Sequence, residues 1–194
     1  VTKPDLIPKR TKLNENLPFP YGNNEPKDAV LANVDYTKLN AAVGNAFDAK
    51  GDRNKRTRSL LVIYKDKIIA EKYDTGFTKE SKILGWSMTK SITSALFGIL
   101  QKQGKYDIYK PAPITEWKND ERKIITTNDL LHMNSGLEWT EQYDKISDAT
   151  KMLFQAEDMA QVQREKPAAF KPNAHWTYSS GTTNLLSGIL RKQF

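Results

Sequence analysis

Gly85-Trp86-Ser87-Met88-Thr89-Lys90-Ser91 is the most informative run in this chain of 194 residues. It opens a helical pattern in which Met88, Ile92, Leu96, Phe97, Ile99 and Leu100 are apolar. The periodicity predicts a helix from Ser87 to about Lys102, with Gly104 as its stop. Ser87 and Lys90 stand at i, i+3, so their Cβ atoms share one face about 5–6 Å apart. A serine hydroxyl is a poor nucleophile until a base takes its proton. A lysine serves as that base when burial and nearby positive charge depress its pKa. The helix N-terminus adds N–H groups and a positive dipole end where an oxyanion develops. Ser-x-x-Lys also arises by chance, and a serine at a helix start is commonly a cap, so the motif has to be read with its surroundings.

Upstream, Leu60–Tyr64 and Ile68–Tyr73 are apolar, β-branched runs around Lys65-Asp66-Lys67, the pattern of an antiparallel hairpin. Asp74-Thr75-Gly76 follows as a turn. It resembles an aspartic-protease triplet, but that chemistry needs two such loops sharing a proton and the chain has one. Asp35 reads as an N-cap for a helix over about 36–49. Five of the nine prolines lie in residues 1–27, which predicts an extended N-terminal arm over 1–34. The basic run Lys50–Arg58 reads as a solvated connector. A polyanion site is the other reading, and the absence of interleaved aromatics weakens it. Downstream, helices are expected at about 127–133, at 148–164 with Ser147 as N-cap, and from 181 to the end.

Composition removes whole classes of chemistry. Cysteine is absent, which excludes disulfide scaffolds, thiolate metal sites and cysteine nucleophiles. The two histidines, His132 and His175, lack the spacing of a His-built metal site. No apolar run is long enough to span a membrane. The net charge of +7 alone does not identify a nucleic-acid partner. The empty cysteine column fits a periplasmic or secreted protein and equally a cytoplasmic one.

A second element, Tyr178-Ser179-Ser180-Gly181, is preceded by Phe170-Lys171-Pro172 and His175-Trp176. With Ile125–Leu137 (ITTNDLLHMNSGL) between them, three blocks stand in order. Together they resemble the superfamily of serine β-lactamases and penicillin-binding proteins. The nearest branch holds class C β-lactamases, D-alanyl-D-alanine carboxypeptidases, esterases and 6-aminohexanoate-dimer hydrolases. The resemblance implies an α+β, β-lactamase/transpeptidase-like fold over 35–194, with a helical region beside the N-terminal hairpin of a sheet. It implies Ser87 as acylated nucleophile, Lys90 as base and Tyr178 as proton shuttle. Ser180 takes the place of an Asn that in relatives contacts the substrate amide. Trp86 and His175 are candidates for substrate contact at the rim, Gly136 for a tight turn, and no metal or organic cofactor is implied.

One family signature, a Lys-Thr-Gly or His-x-Gly triplet on a C-terminal strand, does not occur here. We therefore expect these residues to form the N-terminal part of a larger domain, leaving room for a complementary C-terminal chain as partner. The expected function is hydrolysis of a small ester, amide, peptide-like or β-lactam carbonyl through an acyl-serine. The replacement of Asn by Ser180 tilts the expectation away from penicillins and toward esters and small amides. The alternatives are a non-catalytic binding or sensor protein on the same scaffold, or an inactive half that needs its partner.

Overall fold

The computed structural model describes residues 16–18, 22, 24, 30–49 and 51–193. They fall into two compact units, residues 1–83 and 84–194. Most of the expected 1–34 arm, including Pro4, Pro8, Pro20 and Pro26, lies outside the described residues; Pro18 forms an isolated bridge with Asn24.

The first unit is built on helix α1 (Tyr36–Asn45) and strands β1 (Ser59–Tyr64) and β2 (Lys67–Tyr73). The strands pair antiparallel, with Leu61 opposite Glu71 and a register irregularity between Val62 and Ile63. Their turn is tighter than the sequence pattern indicates. Lys65 and Asp66 alone make it, both with positive φ (49° and 60°), as a right-twisted two-residue hairpin requires. Asp35 caps α1 by accepting from the Lys38 N–H at 3.0 Å. The helix stops at Asn45, short of the expected 49. Lys55 Nζ donates to the Asn45 and Phe47 carbonyls, and Thr57 Oγ1 donates to that of Ala46. The basic run thus satisfies the orphan carbonyls of a helix end.

The second unit is helical. It holds α2 (Thr89–Lys102), α3 (Thr127–Leu131), α4 (Asp148–Phe154), α5 (Met159–Arg164) and α6 (Ser180–Arg191). A single helix over 148–164 does not form. The amides of Gln155 and Ala156 both turn back to the Lys151 carbonyl, and Asp158 caps a new helix through the Ala160 N–H. Short 3₁₀ turns at Thr115–Trp117 and Glu121–Ile124, absent from the sequence reading, fill the path between α2 and α3. The core joins Phe97 and Leu100 of α2 to Trp117, Ile125 and Leu130, and to Leu185, Leu186, Ile189 and Leu190 of α6. α2 is less buried than its composition suggests: Phe97 and Leu100 are buried, while Ile92, Leu96 and Ile99 are exposed.

Trp117 is 1% exposed, and its indole N–H donates to the Arg164 carbonyl at 2.9 Å. The Arg122 guanidinium lies 5.5 Å from the ring centroid. The same guanidinium pairs with Asp120 and donates to the carbonyls of Arg164 and Lys166. Replacing Trp117 with Ala removes that payload and leaves a cavity. The expected loss is about 3–5 kcal/mol, read as a lower denaturant midpoint in equilibrium unfolding.

Candidate active site

Ser87 sits on a single 3₁₀ turn (Trp86–Met88) that leads directly into α2. Trp86 has a positive φ of 43°, a strained value for a bulky residue, and Thr89 Oγ1 donates to its carbonyl at 2.6 Å. This bend presents Ser87 at the surface ahead of the helix. Lys90, one turn on, is half-buried. Its Nζ donates to Ser87 Oγ at 3.1 Å and to Ser180 Oγ at 3.2 Å. It also lies 5.0 Å from the Tyr178 ring centroid, a cation–π contact with the ring face. Ser87, Lys90, Tyr178 and Ser180, drawn from two segments about 90 positions apart, are thus brought together.

The second segment is held by its backbone. Ser179 caps α6, accepting from the Thr182 N–H at 2.9 Å, so Ser180 is the first helical residue and points at the α2 terminus. The loop before it is tied to the middle block. Ala169 and Phe170 donate to the Gly136 carbonyl, Asn173 to that of Asn134, and Thr177 to that of Met133. The Asn173 side chain donates to Asp129, which also completes the capping box of α3. Gly136 has a φ of +78°, and a Cβ there would meet the Phe170 carbonyl oxygen at 2.1 Å. The expected tight turn is therefore also a close backbone approach. His132 bonds its own helix through Nδ1 and the Asn128 carbonyl.

Two residues that the sequence pattern missed complete the arrangement. Glu141 accepts from the Ser180 N–H at 2.8 Å and from the Ser180 hydroxyl, the Tyr143 hydroxyl and the Trp139 indole. Burial alone would oppose its ionisation. The hydrogen bonds from Ser180, Tyr143 and Trp139 outweigh that effect and hold its carboxyl below the ordinary value of 4.5. Tyr143 in turn titrates above its ordinary range, chiefly because its hydroxyl donates to Glu141. Neither residue lies on a helix or strand, so no periodicity marks them. An acid between two aromatics in Trp139-Thr140-Glu141-Gln142-Tyr143 is the only hint.

A cleft of about 290 Å³ runs past the serine, lined among others by Trp86, Ser87, Lys90, Tyr143, Met159 and Ser180. Trp86 is 71% exposed at its edge. His175 stacks on Phe170, with ring centroids 4.8 Å apart, and is not part of this lining. Among the described residues no cluster of three or more His, Cys, Asp or Glu is placed to hold a metal ion. None of the described helices is long and apolar enough to cross a membrane.

A family model described as Beta-lactamase matches residues 43–194. The chain belongs to the β-lactamase family. Among solved structures, this β-lactamase-family chain is similar to a Bacillus anthracis protein assigned as a 6-aminohexanoate-dimer hydrolase. The TM-score is 0.57 and the identity 18%, over 80% of this chain and 42% of that one. It is also similar to a protein of Bacteroides dorei DSM 17855 assigned as a β-lactamase. Here the TM-score is 0.60 at 18% identity, over 80% of this chain and 45% of the other. At such identities the likeness is one of fold, and the chain spans less than half the length of either neighbour. No curated protein matches the sequence.

Gly136→Ala combines a disfavoured φ with a collision against Phe170. It is expected to cost about 1–3 kcal/mol, measured by chemical denaturation. A carboxyl with a depressed native pKa stabilises the fold above its unfolded value and loses that contribution as pH falls through the native value. The melting temperature is therefore expected to drop as pH falls below 4.5, and Glu141→Gln to make that drop shallower.

Proposed function

We propose that this chain carries the nucleophile-bearing part of a serine hydrolase that works through an acyl-serine intermediate on an ester, amide or β-lactam carbonyl. One observation carries the reading. The Lys90 amine stands within hydrogen-bond distance of both Ser87 Oγ and Ser180 Oγ, at the head of a helix and in an open cleft. A lysine on the solvated face of a helix has no reason to be held this way by two segments so far apart in sequence.

In this mechanism Ser87 Oγ attacks the carbonyl carbon while its proton passes to the Lys90 amine, which acts as the base only in its deprotonated form. The new oxyanion is met by the N–H groups at the start of the 3₁₀ turn. Collapse breaks the bond to the leaving group, which takes a proton from Lys90 or from the Tyr178 phenol. Water then attacks the acyl-serine, passing a proton back along the same groups, and the acid is released. The rim of Trp86, Tyr143 and Met159 favours substrates with apolar portions beside the carbonyl. Ser180 has its hydroxyl committed to Lys90 and Glu141, which supports esters and small amides over penicillins as substrates.

A fluorophosphonate, whose phosphorus bonds to an activated serine oxygen as HF is lost, is expected to add the mass of its phosphonyl group to the peptide containing Ser87. In Ser87→Ala the adduct disappears. Correctly folded protein, as its gene encodes it, that stays unlabelled would overturn the hydrolase reading in favour of a binding or sensor role.

A further inference from the structure

Among the described residues, Glu141 is the carboxylate bonded to the Ser180 hydroxyl that Lys90 also contacts, and its surroundings restrict what it can do. An ionised carboxylate has about four lone-pair sites. Here four protein donors reach it: the Ser180 N–H, the Ser180 hydroxyl, the Tyr143 hydroxyl and the Trp139 indole N–H. With those sites filled, it is neither a proton acceptor for substrate nor a receptor for a cationic group. Behind it, a Cβ on Gly181 would meet the Gln163 Oε1 at 2.4 Å and the Trp139 ring at 2.5 Å. The packing that orients Trp139 toward Glu141 therefore depends on glycine directly after Ser180.

The consequence falls on Ser180. A hydroxyl has one proton, and a carboxylate only accepts, so the Ser180–Glu141 bond commits that proton to Glu141. Ser180 then presents only lone pairs to Lys90 Nζ, 3.2 Å away. In the deprotonated form that the mechanism above requires of the base, the Lys90 amine has two N–H bonds and one lone pair, and its bond with Ser87 reverses direction. If one N–H is spent on Ser180 on one side, the lone pair is left for the Ser87 hydroxyl, 3.1 Å away on the other. Without the carboxylate, the Ser180 proton is free to turn onto the amine and compete with Ser87 for its lone pair.

Resting on the hydrolase reading above, we infer that Glu141 is a positioning residue that, through the Ser180 hydroxyl, aims the lone pair of Lys90 at the Ser87 nucleophile. It acts at a distance from substrate and moves no proton itself. The sharing of one route is the distinctive claim: Glu141 and Ser180 work in series, so their removal is not additive.

The test measures the rate constant of fluorophosphonate labelling of Ser87 in the intact protein, resolved into probe binding and the bond-forming step. Circular dichroism checks the fold of each variant. Glu141→Gln is expected to slow the bond-forming step about 10- to 100-fold, with probe binding little changed. Ser180→Ala is expected to lose a similar factor, and the double variant no more than either single one. Labelling of Glu141→Gln at the parent rate, or losses that multiply in the double variant, overturns the inference and leaves the hydrolase reading standing. If Glu141→Gln fails to fold, Ser180→Ala still decides, since parent-rate labelling of that variant breaks the series. A folded parent that is not labelled overturns the hydrolase reading and this inference with it.

Discussion

Helix α6 packs against all four other α-helices of its unit, and its burial is the constraint from which the candidate site follows. Leu185, Leu186, Ile189 and Leu190 are each at most 7% exposed. At about 1.5–3 kcal/mol per buried aliphatic side chain, this face outweighs any polar contact at the helix start. A single hydrogen bond such as Lys90–Ser180 contributes only about 1 kcal/mol. The apolar face therefore sets where the N-terminus of α6 lies, and the polar groups respond to that position. Ser180 meets Lys90 because the core five to ten residues further along holds the helix there.

Backbone hydrogen bonds do the equivalent work for the loop that carries Tyr178. Its amides donate to carbonyls of the middle block, at Met133, Asn134 and Gly136, and the chain approaches as closely as only glycine permits. Asp129 serves both sides: it closes the capping box of α3 and accepts from the Asn173 side chain. The polar residues Asp129 and Asn134 of this stretch thus act as scaffolding for the loop.

Much of the fold was legible because local chemistry settles it. The hairpin needed only two β-branched runs and a polar turn, α2 only its apolar spacing, and the caps at Asp35 and Ser147 only a side-chain oxygen next to free N–H groups. Where long-range partners intervene, the pattern misleads. The end of α1 is fixed by Lys55 and Thr57, about ten residues beyond it. The break between α4 and α5 depends on Asp158 winning the local competition for N–H groups against a continuing helix.

The sequence by itself determined the family, through three ordered blocks, and the nearness of Ser87 to Lys90, because three positions across the 3₁₀ turn and the start of α2 put both on one side. It also located Tyr178 and Ser180 as the second segment. Only the tertiary structure decided that Lys90 lies against the ring face of Tyr178, that His175 stacks on Phe170, and that Glu141 and Tyr143 stand behind Ser180. The physical reason is range. Helix periodicity and capping act over three or four residues, while a carboxylate that gathers donors from Trp139, Tyr143 and Ser180 is defined only once the packing of α6 has brought residues 39 positions apart into contact.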